Sequence, residues 1–294
     1  MKIRIGIGLG TAASPDGFAA DVSRLEELGI DSLWLSEMVY GPLVEPFTGM
    51  AYALARTARL KVGTGVSVLP GRHPVLVAKQ LASLAALAPG RVLPVFGLQP
   101  ARADERALFA VPPGQRGAVF DESLELLRLM LRQETVSFAG RFFTVDAASI
   151  GPLPRKPLDI WLGGSAPGGL RRVGRLGDGW LASFCTPADC EAGRPVIEEA
   201  ARAANRCVDP EHFGAMVTYA HAAIPDALKT RLAAVRPELT PADLVPVGVP
   251  ALRARLVEFV DVGFSKLVLV PLAAPDDWGP ELARLADALL DLQN

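Results

Sequence analysis

Cysteine is scarce in this 294-residue chain, which holds only Cys185, Cys190 and Cys207, with no C-x-x-C pair among them. An odd, scattered set excludes a disulfide framework and gives no zinc-ligand spacing, so these read as three reduced thiols of a cytoplasmic protein. Excess charge is lacking as well. Thirty Lys and Arg against 32 Asp and Glu leave a net charge of −2, which argues against nucleic acid or an anionic membrane as a partner. No apolar run is long enough to cross a bilayer, because every window of about 18 residues contains a charge, Pro or Gly. The first ten residues, MKIRIGIGLG, imitate a signal peptide. Their apolar part is short and glycine-rich and reads instead as a strand. The only histidines, His73, His212 and His221, have no metal-ligand spacing, so no metal site is expected. No G-x-S-x-G phrase appears, which disfavours a hydrolase.

What is present suits a large core. Half the residues are apolar and 21% are charged, which excludes a disordered chain. The length suits two domains of roughly 150 residues, or a single barrel of about 250.

Short β-rich runs alternate with helical stretches. Ile3–Leu9 reads as a strand, and Ser14, Pro15 and Asp16 open a helix that ends near Gly29. Further strands are expected at Ser32–Ser36, Lys61–Leu69, Arg91–Leu98, Leu158–Leu162, Gly179–Phe184, Phe213–His221 and Lys266–Val270. Helices are expected at Glu45–Arg59, Pro74–Leu87, Arg116–Gln133, Pro167–Leu176, Ala188–Asn205, Asp226–Val235, Pro250–Val262 and near Pro280–Leu290. Thr135–Val145 has two β-like halves around Ala139-Gly140 and reads as a hairpin inserted before strand five. Eight βα units with apolar, unalternated strands indicate an α/β fold, a closed (β/α)8 TIM barrel. No linker marks a boundary, so residues 1–294 read as one domain.

Gly8-Leu9-Gly10-Thr11-Ala12-Ala13 matches a dinucleotide fingerprint, with Glu37 where a Rossmann fold places its ribose-binding acid. A nicotinamide-dependent Rossmann dehydrogenase is therefore a rival reading. Against it, the helix cap at Ser14-Pro15 falls after the motif, whereas the fingerprint needs the helix to start within it.

Barrel chemistry sits at the carboxyl ends of the strands. Gly163-Gly164-Ser165-Ala166-Pro167 follows strand five. Free amides at a helix N-terminus form a phosphate site, and Arg171 and Arg172 stand close by. A plain tight turn explains the same residues equally well. His73 reads as a capping or loop residue, and His212 as lying on the far face from the site. His221 ends strand seven at the site rim. Trp34, Trp161 and Trp180 read as core, with Trp161 and Trp180 also able to shape a pocket wall.

Five phrases carry a family resemblance, namely Gly29–Glu37, Leu60–Gln80, Arg116–Glu122, Val136–Phe143 and Leu158–Leu181. In that order they resemble the bacterial luciferase-like oxidoreductases, flavin- and deazaflavin-dependent barrel enzymes. Leu69–Arg72 and Leu93–Gly97 look most like the branch that uses coenzyme F420. The resemblance implies that Gly163, Gly164, Ser165 and Ala166 bind the phosphate of F420 or, alternatively, FMN. It also implies a cis peptide at Gly65-Val66 behind the ring. Glu37, Met38, Thr64, Gly97, Gln99 and Arg171 complete the candidate cofactor contacts. A homodimer through the helices beside strands two and three is a further implication.

Two departures matter. Met38 stands where relatives often carry a proton-transfer His, and Gln99-Pro100 where several deazaflavin enzymes carry a Glu. Glu37, Tyr40 and His221 remain as catalytic candidates without an assigned role. The reading is an oxidoreductase moving hydride between F420 and a small organic substrate. An FMN-dependent monooxygenase and a non-catalytic flavin-binding protein are its alternatives. The loop Pro100–Gln115 is where substrate choice is expected.

Overall fold

In the computed structural model, which describes residues 1–9 and 14–294, each β-rich run becomes a stave and each 3.6-period run a covering helix. β1 (Arg4–Gly8) leads to α1 (Phe18–Leu28), and β2 (Ser32–Leu35) to α2 (Pro46–Arg56). The third stave is split into β3 (Lys61–Thr64) and β4 (Ser67–Val68), and α3 (Pro74–Leu87) follows. The Gly65–Val66 peptide between its halves is cis. The fourth stave is β5 (Val92–Leu93) and β6 (Val95–Gly97), followed by a 3-10 turn at Ala103–Phe109 and α4 (Arg116–Met130). β7 (Val136–Ala139) and β8 (Thr144–Ala148) form a separate antiparallel pair. The parallel staves resume with β9 (Trp161–Gly163), α5 (Pro167–Leu176), β10 (Gly179–Ser183), α6 (Pro187–Ala203) and β11 (Phe213–Tyr219). α7 (Asp226–Val235), α8 (Pro241–Leu244), α9 (Gly248–Asp261), β12 (Lys266–Pro271) and α10 (Trp278–Leu289) complete the chain.

The ring closes because both halves of the split staves find partners. Val62 of β3 pairs with Val92 of β5, and Ser67 of β4 with Phe96 of β6. β6 continues to β9, and β12 returns to β1. Eight parallel staves with outer helices are the (β/α)8 arrangement.

Alternate residues of each stave serve two cores. Ile5, Ile7, Leu33, Val62, Phe96, Leu162 and Trp180 pack outward against the helices. Trp34, Val95, Trp161, Leu181 and Val268 fill the barrel interior. The two interior indoles fit only because facing positions lack a Cβ. A Cβ on Gly6 would lie 2.5 Å from Trp34 Nε1, and one on Gly63 2.8 Å from Trp34 Cζ3. On Gly179 it would lie 2.4 Å from Trp161 Cε2. Trp34 Nε1 donates to Ser32 Oγ at 3.0 Å, which satisfies its one buried donor.

Several helix starts differ from the sequence expectation. α1 begins at Phe18 with Gly17 as its cap, because residues 15–17 form a turn that closes from Phe18 N to the Pro15 carbonyl. Ser14 therefore does not cap it. α6 begins at Pro187 under a capping box of Thr186 and Asp189, a signal present in the sequence. Gly10 to Ala13 of the fingerprint match lie outside the described residues.

Half-buried Asp21 in the first turn of α1 is pushed from 3.8 up to about 6, by burial first and then by the Asp277 carboxylate. Its folded-state value lies above the unfolded one. Between these two values the folded chain holds a proton that the unfolded chain has lost, so stability falls as pH rises through this window. Asp21→Asn should raise stability at pH 7 by about 1 kcal/mol, after discounting for exposure. The gain should disappear near pH 4. Thermal unfolding of both proteins at the two pH values checks this, and an equal effect at both would rule it out.

Candidate active site at the carboxyl ends of the staves

Glycines surround the upper end of the barrel interior. A Cβ on Gly65 would meet Met216 Cε at 2.5 Å, and one on Gly8 would meet Val270 Cγ2 at 2.8 Å. Cβ atoms on Gly97 and Gly163 would meet Val66 methyls at 2.7 and 3.0 Å. Val66, Met216 and Val270 thus form an apolar floor whose side chains fill the space left by these glycines. Ser36 Oγ donates to the Gly65 carbonyl at 3.0 Å and holds one side of the split stave.

Glu37 follows β2 and holds the other side. Its carboxylate accepts from Val68 N at 2.7 Å and from Arg72 at 2.9 Å (Nη1) and 2.6 Å (Nη2). The Glu37 side chain is 2% exposed and the Arg72 side chain 26%, so a buried carboxylate meets a half-buried guanidinium in a bidentate pair. The Arg72 guanidinium also lies 4.9 Å from the Phe109 ring centre. Glu37 is therefore a clamp between β2, β4 and the loop after β6. Thr64 is likewise engaged, since its Oγ1 donates to the Val95 carbonyl at 2.6 Å and accepts from Val95 N at 2.9 Å. Neither has a polar atom left free to face a ligand.

The remaining predicted residues divide. Met38 is half-buried beside the clamp, while Tyr40 and Gln99 are exposed. Tyr40 N donates to the fully buried Glu105 at 2.8 Å, and Arg102 donates to the Tyr40 carbonyl at 3.1 Å. These bonds draw the loop after β6 over the end of β2. His221 does not face the rim. Its Nδ1 lies 2.9 Å from Arg284 Nη2 and 3.7 Å from Glu281, both on α10. Tyr219 points outward into the helix layer and donates to the same Glu281 at 2.5 Å. The outward register of Tyr219 carries His221 with it. His73 caps α3, accepting from Val75 N at 3.3 Å, and His212 lies at the opposite end of the barrel beside Trp161.

The glycine turn after β9 is open. Gly163 is half-buried, and Gly164, Ser165, Ala166, Pro167 and Gly168 are exposed. Gly164 has φ +105°, a conformation that favours glycine. Its carbonyl accepts from Trp180 Nε1 at 2.9 Å, so the indole anchors the turn from beneath. α5 starts at Pro167 with no capping side chain on Ala166, which leaves first-turn amides unmet within the helix. A Cβ on Gly164 or Gly168 would meet nothing within 4 Å. The amides thus open onto free space at the positive end of a helix dipole.

The expected pair of arginines reduces to one. Arg172 bonds Asp121 and lies 5.2 Å from the Phe120 ring centre. Arg171 is exposed, with no ion-pair partner among the described residues. A cavity of about 240 Å³ adjoins the turn, lined by Ser165, Trp180, Cys185, Asp189, Gly193 and Arg236. Arg236 reaches it from the C-cap of α7 and donates to Asp189 at 3.0 Å. The sequence reading missed Arg236, because 47 residues separate the pair. Trp161 does not shape this wall. It lines a cavity of about 400 Å³ at the other end of the barrel.

The described residues hold no group of three or more His, Cys, Asp or Glu placed to bind a metal. Among the described residues no helix is long and apolar enough to cross a membrane.

A family model for luciferase-like monooxygenases matches residues 1–258. An uncharacterized protein of Mycobacterium tuberculosis is 39% identical over 140 residues, 48% of each chain. An F420-dependent glucose-6-phosphate dehydrogenase of Kineococcus radiotolerans is 29% identical over 213 residues, covering 67% of this chain and 63% of that one. The chain thus matches less than two thirds of the length of these curated relatives. Among solved structures, an F420-dependent secondary alcohol dehydrogenase in complex with an F420-acetone adduct superposes with a TM-score of 0.83. It is 20% identical over 100% of both chains, a likeness of fold.

Proposed function

The chain belongs to the luciferase-like monooxygenase family, and from that premise we propose that it is an oxidoreductase binding coenzyme F420 at the carboxyl-end mouth of the barrel. The reaction is hydride transfer to or from a small organic substrate. The observation that carries this reading is the uncapped glycine turn Gly163–Ala166 at the start of α5, beside a glycine-ringed apolar floor. The name of the Kineococcus relative supports F420 as the cofactor.

The residues present fit such a group. Gly164 and Gly168 leave space where a Cβ would meet nothing, and the amides there suit a phosphate. Bound F420 would supply two-electron hydride chemistry. The protein binds, orients and excludes water. The turn and Arg171 hold the anion. Val66, Met216 and Val270 form a dry seat for the ring. Glu37 keeps the seat in shape through Val68 and Arg72, and its committed oxygens make it a positioning residue. The loop pinned by Glu105 borders the substrate side. Exposed Tyr52 on α2 and Leu76 and Leu87 on α3 support a homodimer contact beside β2 and β3.

Titration of the purified protein with F420, FMN and NADPH, followed by cofactor fluorescence, tests the proposal. F420 should bind with Kd below roughly 100 μM, about −5.5 kcal/mol. Tighter binding of FMN would move the reading to monooxygenation. Failure of both flavins to bind would sink it.

A further inference from the structure

A cavity of about 400 Å³ lies at the amino-terminal ends of the staves, opposite the cofactor mouth. That size falls within the range of about 300–1,000 Å³ usual for small-ligand pockets. Trp34, Trp161, Leu93 and Val95 give it an apolar floor. The wall is charged and unbalanced. Lys2, Arg4, Lys61, Arg155, Lys156 and Lys266 line it, against only Asp159, Asp209 and Glu211. This local positive excess stands on a chain whose net charge is −2.

The imbalance is sharpest on one rung. Arg4, Lys61 and Lys266 are the first residues of β1, β3 and β12, and all three converge on Asp31, just before β2. Lys61 Nζ lies 2.7 Å and Lys266 Nζ 2.8 Å from the Asp31 carboxylate, and Arg4 Nε lies 3.5 Å away. Asp31 thus serves two lysines closely and Arg4 at longer range, while Arg4 also donates to the Asn294 carbonyl oxygen. The Lys266 side chain is 10% exposed, and burial holds its ammonium below the usual lysine range despite Asp31. Arg4 and Lys61 keep 26% and 31% of their side-chain exposure, so both can still reach a further anion in the cavity beside buried Lys266. Arg155 and Lys156 at the rim are exposed and have no ion-pair partner among the described residues.

We infer that this cavity is a second, non-catalytic binding site for an aromatic carboxylate, whose ring lies on the Trp34–Trp161 floor and whose carboxylate meets the Arg4–Lys61–Lys266 rung. Barrel chemistry sits at the other end of the staves, so occupancy here bears on regulation or stability.

Isothermal titration calorimetry on the full chain tests this with indole-3-carboxylate, indole-3-carboxamide and inorganic phosphate. The carboxylate should bind saturably below roughly 1 mM, with the carboxamide at least about tenfold weaker, a gap of about 1.4 kcal/mol. Lys61→Gln should weaken the carboxylate by about tenfold. The exposed pair Arg155→Gln/Lys156→Gln, which disturbs no internal contact, should weaken it by a smaller factor. Arg171→Gln, at the other end of the barrel, should leave it unchanged. Absence of saturable binding overturns the inference. So does unchanged affinity in both lysine-bearing variants with intact circular dichroism, or loss of binding in Arg171→Gln. Displacement by phosphate at equal concentration overturns the aromatic part, since a bare anion would then suffice.

Discussion

Glu37→Ala should lower folding stability by about 3 kcal/mol. Removing one partner of a buried ion pair leaves the other charge uncompensated, at a cost of about 3–5 kcal/mol when both are fully buried. The lower end applies because the Arg72 side chain keeps 26% of its exposure. The Val68 amide, 2.7 Å from the carboxylate, loses its acceptor as well. Glu37→Gln should fall between wild type and alanine, since an amide still accepts from Val68 but cannot neutralise Arg72. Glu37→Ala/Arg72→Ala should recover part of the loss, because the stranded guanidinium is gone. Urea unfolding of the four proteins measures this. A loss under about 1 kcal/mol in the single alanine variant would refute the clamp. F420 affinity should fall in parallel, since β4 and the floor beside it depend on the clamp for their position.

Gly168→Glu should abolish cofactor binding, with affinity down by more than about a hundredfold, while the fold becomes slightly more stable. Gly168 is exposed in the first turn of α5, and a Cβ there meets nothing within 4 Å. A carboxylate in a first helical turn is favourable by about 0.3–1 kcal/mol through the helix dipole. The same carboxylate would lie in the positive field at the helix start and repel a cofactor phosphate held there. Opposite signs for stability and binding separate this from general damage. Thermal unfolding and fluorescence titration of one preparation give both numbers. Unaltered F420 affinity would remove the turn from the cofactor site.

Most of the architecture was legible in the sequence, and the residues show why. Pro74 and Pro167 start helices where they stand, and Gly29 ends one with φ +76°. Those signals act across a few residues. The alternation of apolar strand and amphipathic helix, repeated eight times, leaves few alternatives to a closed barrel. The resemblance implies a cis peptide at Gly65–Val66, and that peptide is cis. Ser14 misled because a cap signal does not say which of several turn residues the helix will use.

The candidate site was less legible. The place of Glu37 after β2 marks it as a catalytic candidate, but its partner Arg72 lies 35 residues away. Sequence proximity groups Arg172 with Arg171, yet it turns to Asp121, 51 residues back. His221 ends a stave, and the outward register of Tyr219 sends it to Arg284, 63 residues on. Gly163–Ala166 stayed an open turn because its features are local. What the sequence determined by itself is thus the order of staves and helices and the bare glycine turn, since periodicity, caps and φ preferences act between near neighbours. Only the tertiary structure decided which charged side chains are free, and it formed the cation-lined cavity under the barrel. Burial and ion pairing are settled by residues that meet after the ring has closed.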